Sequence, residues 1–108
     1  RKSNILILGL AYKKDIDDMR ESPALKIAEL LRFKGANISY HDPNINDAKE
    51  LKFVELNKAS LRKADAVVIT TDHSNVDYEM VGKYARLIID TRNVMAGVKN
   101  PKADVLRA

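Results

Sequence analysis

The stretch Ile5-Leu6-Ile7-Leu8-Gly9-Leu10-Ala11-Tyr12-Lys13-Lys14-Asp15-Ile16-Asp17-Asp18-Met19-Arg20-Glu21-Ser22-Pro23 carries most of the information in this chain. Four aliphatic residues end in a glycine, a long polar segment follows, and an amphipathic helix begins at Pro23. Connections between strands and helices in α/β units usually take about two to six residues. The segment from Leu10 to Ser22 is too long for a plain connector, and its lysines, aspartates and arginine are the groups that bind ligands on the rim of a sheet.

On either side of this stretch the apolar pattern alternates between strand and helix. It predicts strands at Asn4 to Gly9, Asn37 to His41, Ala66 to Thr70 and Arg86 to Asp90. Helices are predicted at about Pro23 to Lys34, Asn57 to Lys63 and Val76 to Tyr84. The first helix is the best defined: Ser22 suits the N-cap, Pro23 the first helical position and Gly35 the position past the end. Ala24, Ile27, Ala28 and Leu31 form its apolar stripe, widened by Leu25 and Leu30, with Lys26, Glu29, Arg32 and Lys34 facing water. Strand two closes at Asp42-Pro43, and a variable loop with room for a short helix runs to about Lys52. The strands are nearly continuous apolar runs, which suits strands covered by helices on both faces of a parallel sheet. The β-α-β-α order makes this a doubly wound α/β domain. The core is expected over residues 4–97. The tail after it, 98–108, has little periodicity, and the sequence leaves open whether it docks or hangs free.

The totals bound the function classes. With 108 residues, 45% of them hydrophobic, the chain makes one domain with a real core. No run approaches the roughly 18 apolar residues needed to span a bilayer. The short run after Arg1 and Lys2 lacks the form of a signal peptide, so a cytoplasmic address and no membrane partner are expected. Without cysteine there is no disulfide scaffold, thiolate metal site or cysteine nucleophile in these residues. The balance of 19 basic to 15 acidic residues is mild. It suits a solvated surface or an anionic small ligand such as a nucleotide. With few aromatics and no basic cluster interleaved with stacking residues, nucleic acid is not expected as a partner.

In open α/β sheets ligands sit beyond the carboxyl ends of the strands. Four segments arrive there: Leu10 to Ser22, His41-Asp42-Pro43, Thr71-Asp72-His73-Ser74 and Thr91-Arg92-Asn93. Lys13, Lys14, Arg20 and Arg92 give the first and last of them cations able to hold a phosphate. The competing reading pairs those cations with Asp15, Asp17, Asp18 and Asp90. A dinucleotide-binding turn needs G-x-G-x-x-G, whereas here Gly9 stands alone with Ala11 two positions on. Asp42 stands where such a domain would hold a ribose, but Pro43 after it favours a turn. Asp72-His73-Ser74 has the residue types of a triad. Neighbours on an extended chain point in different directions, so His73 is read as shaping its loop and Asp72 as capping the next helix. Nothing at ligand spacing makes His41 or His73 a metal ligand. Asp15, Asp17 and Asp18 lack the glycine and distal glutamate of a calcium loop.

Three further segments extend the pattern. Leu8 to Asp15 with Asp17 to Ala24, then Tyr40-His41-Asp42-Pro43, Ala64 to His73 and Asp90-Thr91-Arg92-Asn93, resemble the C-terminal domain of the UDP-glucose/GDP-mannose dehydrogenase family. The resemblance spans about residues 4 to 97. Within the family, the Asp-Asp-Met-Arg-Glu-Ser-Pro, Tyr-His-Asp-Pro, Thr-Asp-His and Asp-Thr-Arg-Asn segments look most like the branch acting on UDP-N-acetylhexosamines such as UDP-N-acetylglucosamine.

The resemblance implies a Rossmann-like domain that closes over the UDP part of a UDP-sugar. It implies an enzyme that oxidises C6 of that sugar to a uronic acid with two NAD⁺, and a homo-oligomer for the full-length protein. NAD is bound mainly by an N-terminal domain absent here, and the catalytic cysteine also lies outside these residues, so this chain alone is expected to hold no catalytic residue. Lacking the dimer-forming helix, it is expected to be able to stand as a monomer. Carried over residue by residue, Tyr12 and Lys13 match the pair lying against UDP. Arg92 matches the arginine that contacts the nucleotide sugar, and Arg20 one that reaches NAD on the other domain. The alternative is a non-catalytic α/β nucleotide-binding or regulatory module, with Asp42 or Asp72 as a phosphoacceptor, or a protein-interaction domain with a large exposed apolar patch.

Overall fold

Ile5, Leu6, Ile7 and Leu8 do form a central strand. Successive side chains of a strand point to opposite faces, so Leu6 and Leu8 enter one apolar cluster and Ile7 enters another on the far side. The computed structural model describes residues 2–11, 23–49 and 51–108. Six parallel strands make one sheet: β1 (Asn4–Leu8), β2 (Asn37–His41), β3 (Lys52–Phe53), β4 (Ala66–Ile69), β5 (Leu87–Asp90) and β6 (Asp104–Arg107). Their order across the sheet is β3-β2-β1-β4-β5-β6. The chain thus winds outward from β1 in one direction and from β4 in the other, and the two halves meet between β1 and β4. That is the doubly wound, Rossmann-like arrangement expected from the β-α-β-α pattern.

Helices cover both faces. On one side α1 (Pro23–Phe33) presses Ala24 and Ala28, a turn apart, onto Ile7, Tyr40 and Leu51. Small side chains let the helix backbone sit close, and the buried stripe is narrower than expected: Leu30, read as part of it, is 59% exposed, and Phe33 near it is 89% exposed. The α1 helix ends in a Schellman motif. Ala36 N–H donates to Leu31 O at 3.1 Å and Gly35 N–H to Arg32 O at 2.9 Å, with Gly35 at φ +93°. Its expected N-cap, Ser22, lies outside the described residues. On the other side α2 (Lys58–Lys63) and α3 (Tyr78–Tyr84) supply Leu61, Ala64, Val81 and Ala85 around Leu6, Leu8, Val67, Ile69 and Ile88. A reciprocal capping box between Asn57 and Ser60 starts α2.

Two expectations change, and one point that the sequence leaves open is decided. The loop before Lys52 carries no helix among its described residues, and the segment after it adds the two-residue edge strand β3. The α3 helix begins at Tyr78 and is capped by Asp77, whose carboxylate accepts from Met80 N–H at 3.0 Å. Asp72 is therefore not its cap, because it stands a full turn too early. The segment after Gly97 is no loose tail. A 3₁₀ turn (Val94–Gly97) buries Met95, Lys102 and Ala103 N–H both donate to Gly82 O, and β6 pairs in register with β5. Short side-chain periodicity hides such a strand, since its placement depends on the open edge of β5.

At the junction of the two halves, Gly9 has φ +96°, and a Cβ built there would fall 2.7 Å from both Cβ and O of Thr71. A side chain would meet backbone that cannot move aside. Gly9→Ala is therefore expected to cost at least ~3 kcal/mol of unfolding free energy. Gly35→Ala, with a similar φ but open space around it, should cost only ~1–2 kcal/mol. Urea titrations of the two variants measure both values; equal losses would show that the crossing itself contributes nothing.

Candidate functional site

The close approach of Gly9 and Thr71 brings the carboxyl ends of β1 and β4 together, and two threonine hydroxyls fasten them. Thr70 Oγ1 donates to Gly9 O, and Thr71 Oγ1 donates to Ala11 O at 2.6 Å. Thr70 N–H also donates to Leu8 O at 3.0 Å, extending the β1–β4 ladder by one step. The first rim segment therefore leaves the sheet from a seat built by β4.

Asp42 completes that seat. It follows β2 and is 1% exposed. Its Oδ1 accepts from Asn44 N–H at 2.8 Å, which is the turn that Pro43 signals. Its Oδ2 faces the other way. It accepts from Leu10 N–H at 2.7 Å, Ala11 N–H at 3.1 Å and His73 Nε2 at 2.9 Å. The Asn44 side-chain nitrogen lies 3.4 Å from His73 Nδ1, and in this network Nε2 carries the proton aimed at the carboxylate. A carboxylate this buried is tolerable only with such partners.

This settles several residue types. His73 is fully buried and pairs with Asp42, far away in sequence, and not with Asp72 beside it. It shapes the loop, as expected, and cannot reach a substrate. Asp42 neither holds a ribose nor is open to phosphorylation. The amides of Leu10 and Ala11, which in a dinucleotide-binding turn would face the pyrophosphate, already face a carboxylate. With a single glycine and an internal anion in that position, the switch point of this chain does not fit NAD. Among the described residues no three histidine or acidic side chains converge to hold a metal.

The other end of the rim is set by Asp90, also 1% exposed. Its two oxygens accept from Arg92 N–H at 3.0 Å and Met95 N–H at 2.8 Å, folding the chain back after β5. Asn93 takes the left-handed conformation at φ 60° in this turn. Asp90 is thus spent on backbone amides and does not pair with the Arg92 guanidinium. Arg92 is exposed, and its Nε donates to Thr70 O at 3.1 Å. That bond ties the side chain to the backbone just past the end of β4. Tyr12, Lys13 and Arg20, like Lys14, Asp15, Asp17 and Asp18, lie outside the described residues. Sequence reasoning missed Thr70 and Thr71; the signal was two hydroxyls closing an otherwise apolar strand. Of the competing reading that paired the rim cations with acids, the Asp90 part does not hold, because Asp90 forms a turn.

A cavity of about 570 Å³ is at the opposite end of the sheet, with Lys2, Arg32, Lys52 and Lys63 in its lining. It abuts the C-terminal ends of α1 and α2, whose carbonyls attract basic side chains and repel anions. Arg32 and Lys63 belong to those helix ends, and the rim around Arg92, beyond the carboxyl ends of the strands, is the better candidate. For the interior of that rim, His73→Leu is expected to lower unfolding free energy by about 2–3 kcal/mol, the value of a hydrogen bond to a buried charged group. Urea denaturation measures it; unchanged stability would mean that Asp42 does not need His73.

Comparison with known proteins agrees with this geometry. Residues 6–97 match the model for the UDP-glucose/GDP-mannose dehydrogenase family, UDP binding domain. The chain is 41% identical over 96 residues to UDP-N-acetyl-D-mannosamine dehydrogenase of Pyrococcus horikoshii, covering 84% of this chain and 22% of that protein. It is 34% identical over 104 residues to UDP-glucose 6-dehydrogenase of Rickettsia bellii, covering 85% and 24%. A UDP-glucose dehydrogenase structure from Pyrobaculum islandicum superposes with a TM-score of 0.76 at 28% identity, covering 99% of this chain and 25% of that one. The chain thus spans about a quarter of the length of the relatives it matches. A match over so much of its own length shows that the chain belongs to the UDP-glucose/GDP-mannose dehydrogenase family, as its UDP binding domain.

Proposed function

We propose that this chain grips the nucleotide of a UDP-sugar within an NAD-dependent 6-dehydrogenase, which oxidises C6 of the hexose to the uronic acid. The observation that carries the reading is the Thr70–Thr71 pair. Adjacent residues just past β4 hold the carbonyl of Ala11 and the guanidinium of Arg92, so the segment that leads to Tyr12 and Lys13 starts beside Arg92. Two cationic segments meeting on one rim suit a diphosphate.

In this reading Tyr12 and Lys13 lie against UDP and Arg92 contacts the nucleotide sugar. Gripping the nucleotide holds the attached hexose in place, and the binding energy gained here is expressed mainly as affinity for the UDP-sugar. NAD, held mainly by parts of the protein beyond this chain, supplies the hydride acceptor, and Arg20 reaches toward it. The chain alone does not catalyse in this reading, since it has no cysteine to serve as the nucleophile. The substrate is a UDP-N-acetylhexosamine, with UDP-N-acetylglucosamine favoured by the motifs. The relatives named for UDP-N-acetyl-D-mannosamine support the N-acetylhexosamine class, and those named for UDP-glucose mark the competitor. The full-length protein is a cytoplasmic homo-oligomer in this proposal. For this chain, no helix among the described residues is long and apolar enough to cross a membrane.

The test is steady-state kinetics of the full-length protein with UDP-N-acetylglucosamine, UDP-N-acetyl-D-mannosamine and UDP-glucose. An N-acetylhexosamine is expected to give the highest kcat/KM; a preference for UDP-glucose would overturn the substrate assignment, and no turnover with any of them the function. Lys13→Ala and Arg92→Ala should each raise KM for the UDP-sugar, by about 10- to 100-fold for a lost charge-assisted contact of roughly 1.5–3 kcal/mol. Arg20→Ala should act on KM for NAD instead; the reverse pattern would refute these roles.

A further inference from the structure

We propose that Asp42 and Thr71 are positioning residues for nucleotide binding, gripping Ala11 from both sides and so fixing where the first rim segment starts relative to Arg92. The inference rests on the UDP-binding reading above. Its basis is that one residue, 1% exposed, has both of its backbone polar groups tied to side chains from other strands. Ala11 N–H goes to Asp42 after β2, and Ala11 O goes to Thr71 after β4. With donor and acceptor both pinned, neither dihedral of Ala11 is free, and the direction in which the chain leaves the sheet is set at that point. A turn at Pro43 needs only Oδ1 of Asp42, on Asn44 N–H. The three bonds to Oδ2 exceed what the turn requires, and two of them go to the segment that leads to Tyr12 and Lys13. His73 supplies the third and holds the carboxylate in that rotation.

The same strand end serves Arg92. Thr70 O accepts from its Nε–H, while the hydroxyl of Thr71, the next residue, donates to Ala11 O. A displacement at this dipeptide would move Ala11, where the first rim segment starts, relative to Arg92, whereas an intact one fixes that start before binding. Neither Asp42 nor Thr71 is open enough to touch a ligand. Their effect passes through Ala11, so they should influence nucleotide affinity and leave the chemical step alone.

Thr71→Val deletes the hydroxyl at nearly constant shape, and Thr71→Ser keeps it. In the full-length protein Thr71→Val is expected to raise KM for the UDP-sugar about 5- to 10-fold, with KM for NAD and kcat within about twofold of wild type. Thr71→Ser should restore KM to within about twofold. An unchanged UDP-sugar KM in Thr71→Val, equal rises in both KM values, or a failure of serine to restore binding would each overturn the proposal. Asp42→Asn provides a second measurement that needs no substrate and is made on whatever fraction folds. Hydrogen exchange of the Leu10 and Ala11 amides should quicken by at least about tenfold, and unchanged exchange would show that no clamp exists. If the wild-type protein oxidises no UDP-sugar, the functional reading fails, and the exchange experiment still decides whether Ala11 is held.

Discussion

Asp42 brings a negative charge into a place with almost no water, and the fold is arranged around satisfying it. Its partners come from the end of β1, from its own turn after β2 and from the loop after β4. A buried charge without such partners would cost several kcal/mol, so these three segments are held to one another by mutual need. The glycine at position 9 belongs to the same constraint. The backbone of β1 must pass Thr71 within a distance that admits no Cβ, and only then do the amides of Leu10 and Ala11 come within reach of the carboxylate.

One consequence is a change of use for a familiar architecture. The strand order is that of dinucleotide-binding domains, with its crevice between β1 and β4. Here that crevice is filled by the protein's own carboxylate and bridged by the hydroxyls of Thr70 and Thr71. Beyond it, on the rim, Arg92 Nε donates to Thr70 O just past β4. In the function proposed above, cationic side chains take the part that backbone amides play in a dinucleotide-binding turn.

The two halves of the molecule differ in how they are stabilised. Around α1 the contact surface is thin, made by alanines, and leaves Leu30 and Phe33 to solvent. Around α2 and α3 it is broader, and the chain's last strand adds to it by covering the edge of β5. Three cationic side chains, Lys58, Arg62 and Lys83, each stand 5.3–5.4 Å from the ring of Tyr84 where α2 meets α3, contacts that add a modest electrostatic term to that packing.

What the sequence determined by itself was whatever depends on neighbours along the chain. Continuous apolar runs at 5–8, 66–69 and 87–89 could only be buried strands, Asn57 and Gly35 could only begin and end helices, and Asp42-Pro43 could only turn. The motifs around Gly9, Asp42, His73 and Arg92 were specific enough to indicate the family before any coordinates. What only the tertiary structure decided was every relation between distant segments. His73 chose Asp42 over Asp72, Asp90 chose backbone amides over Arg92, Thr71 took the carbonyl of Ala11, and residues 104–107 became a strand because β5 offered an open edge. Local pattern records propensity, which acts over a few residues; the choice among hydrogen-bond partners is made by burial, and burial exists only once the strands have come together.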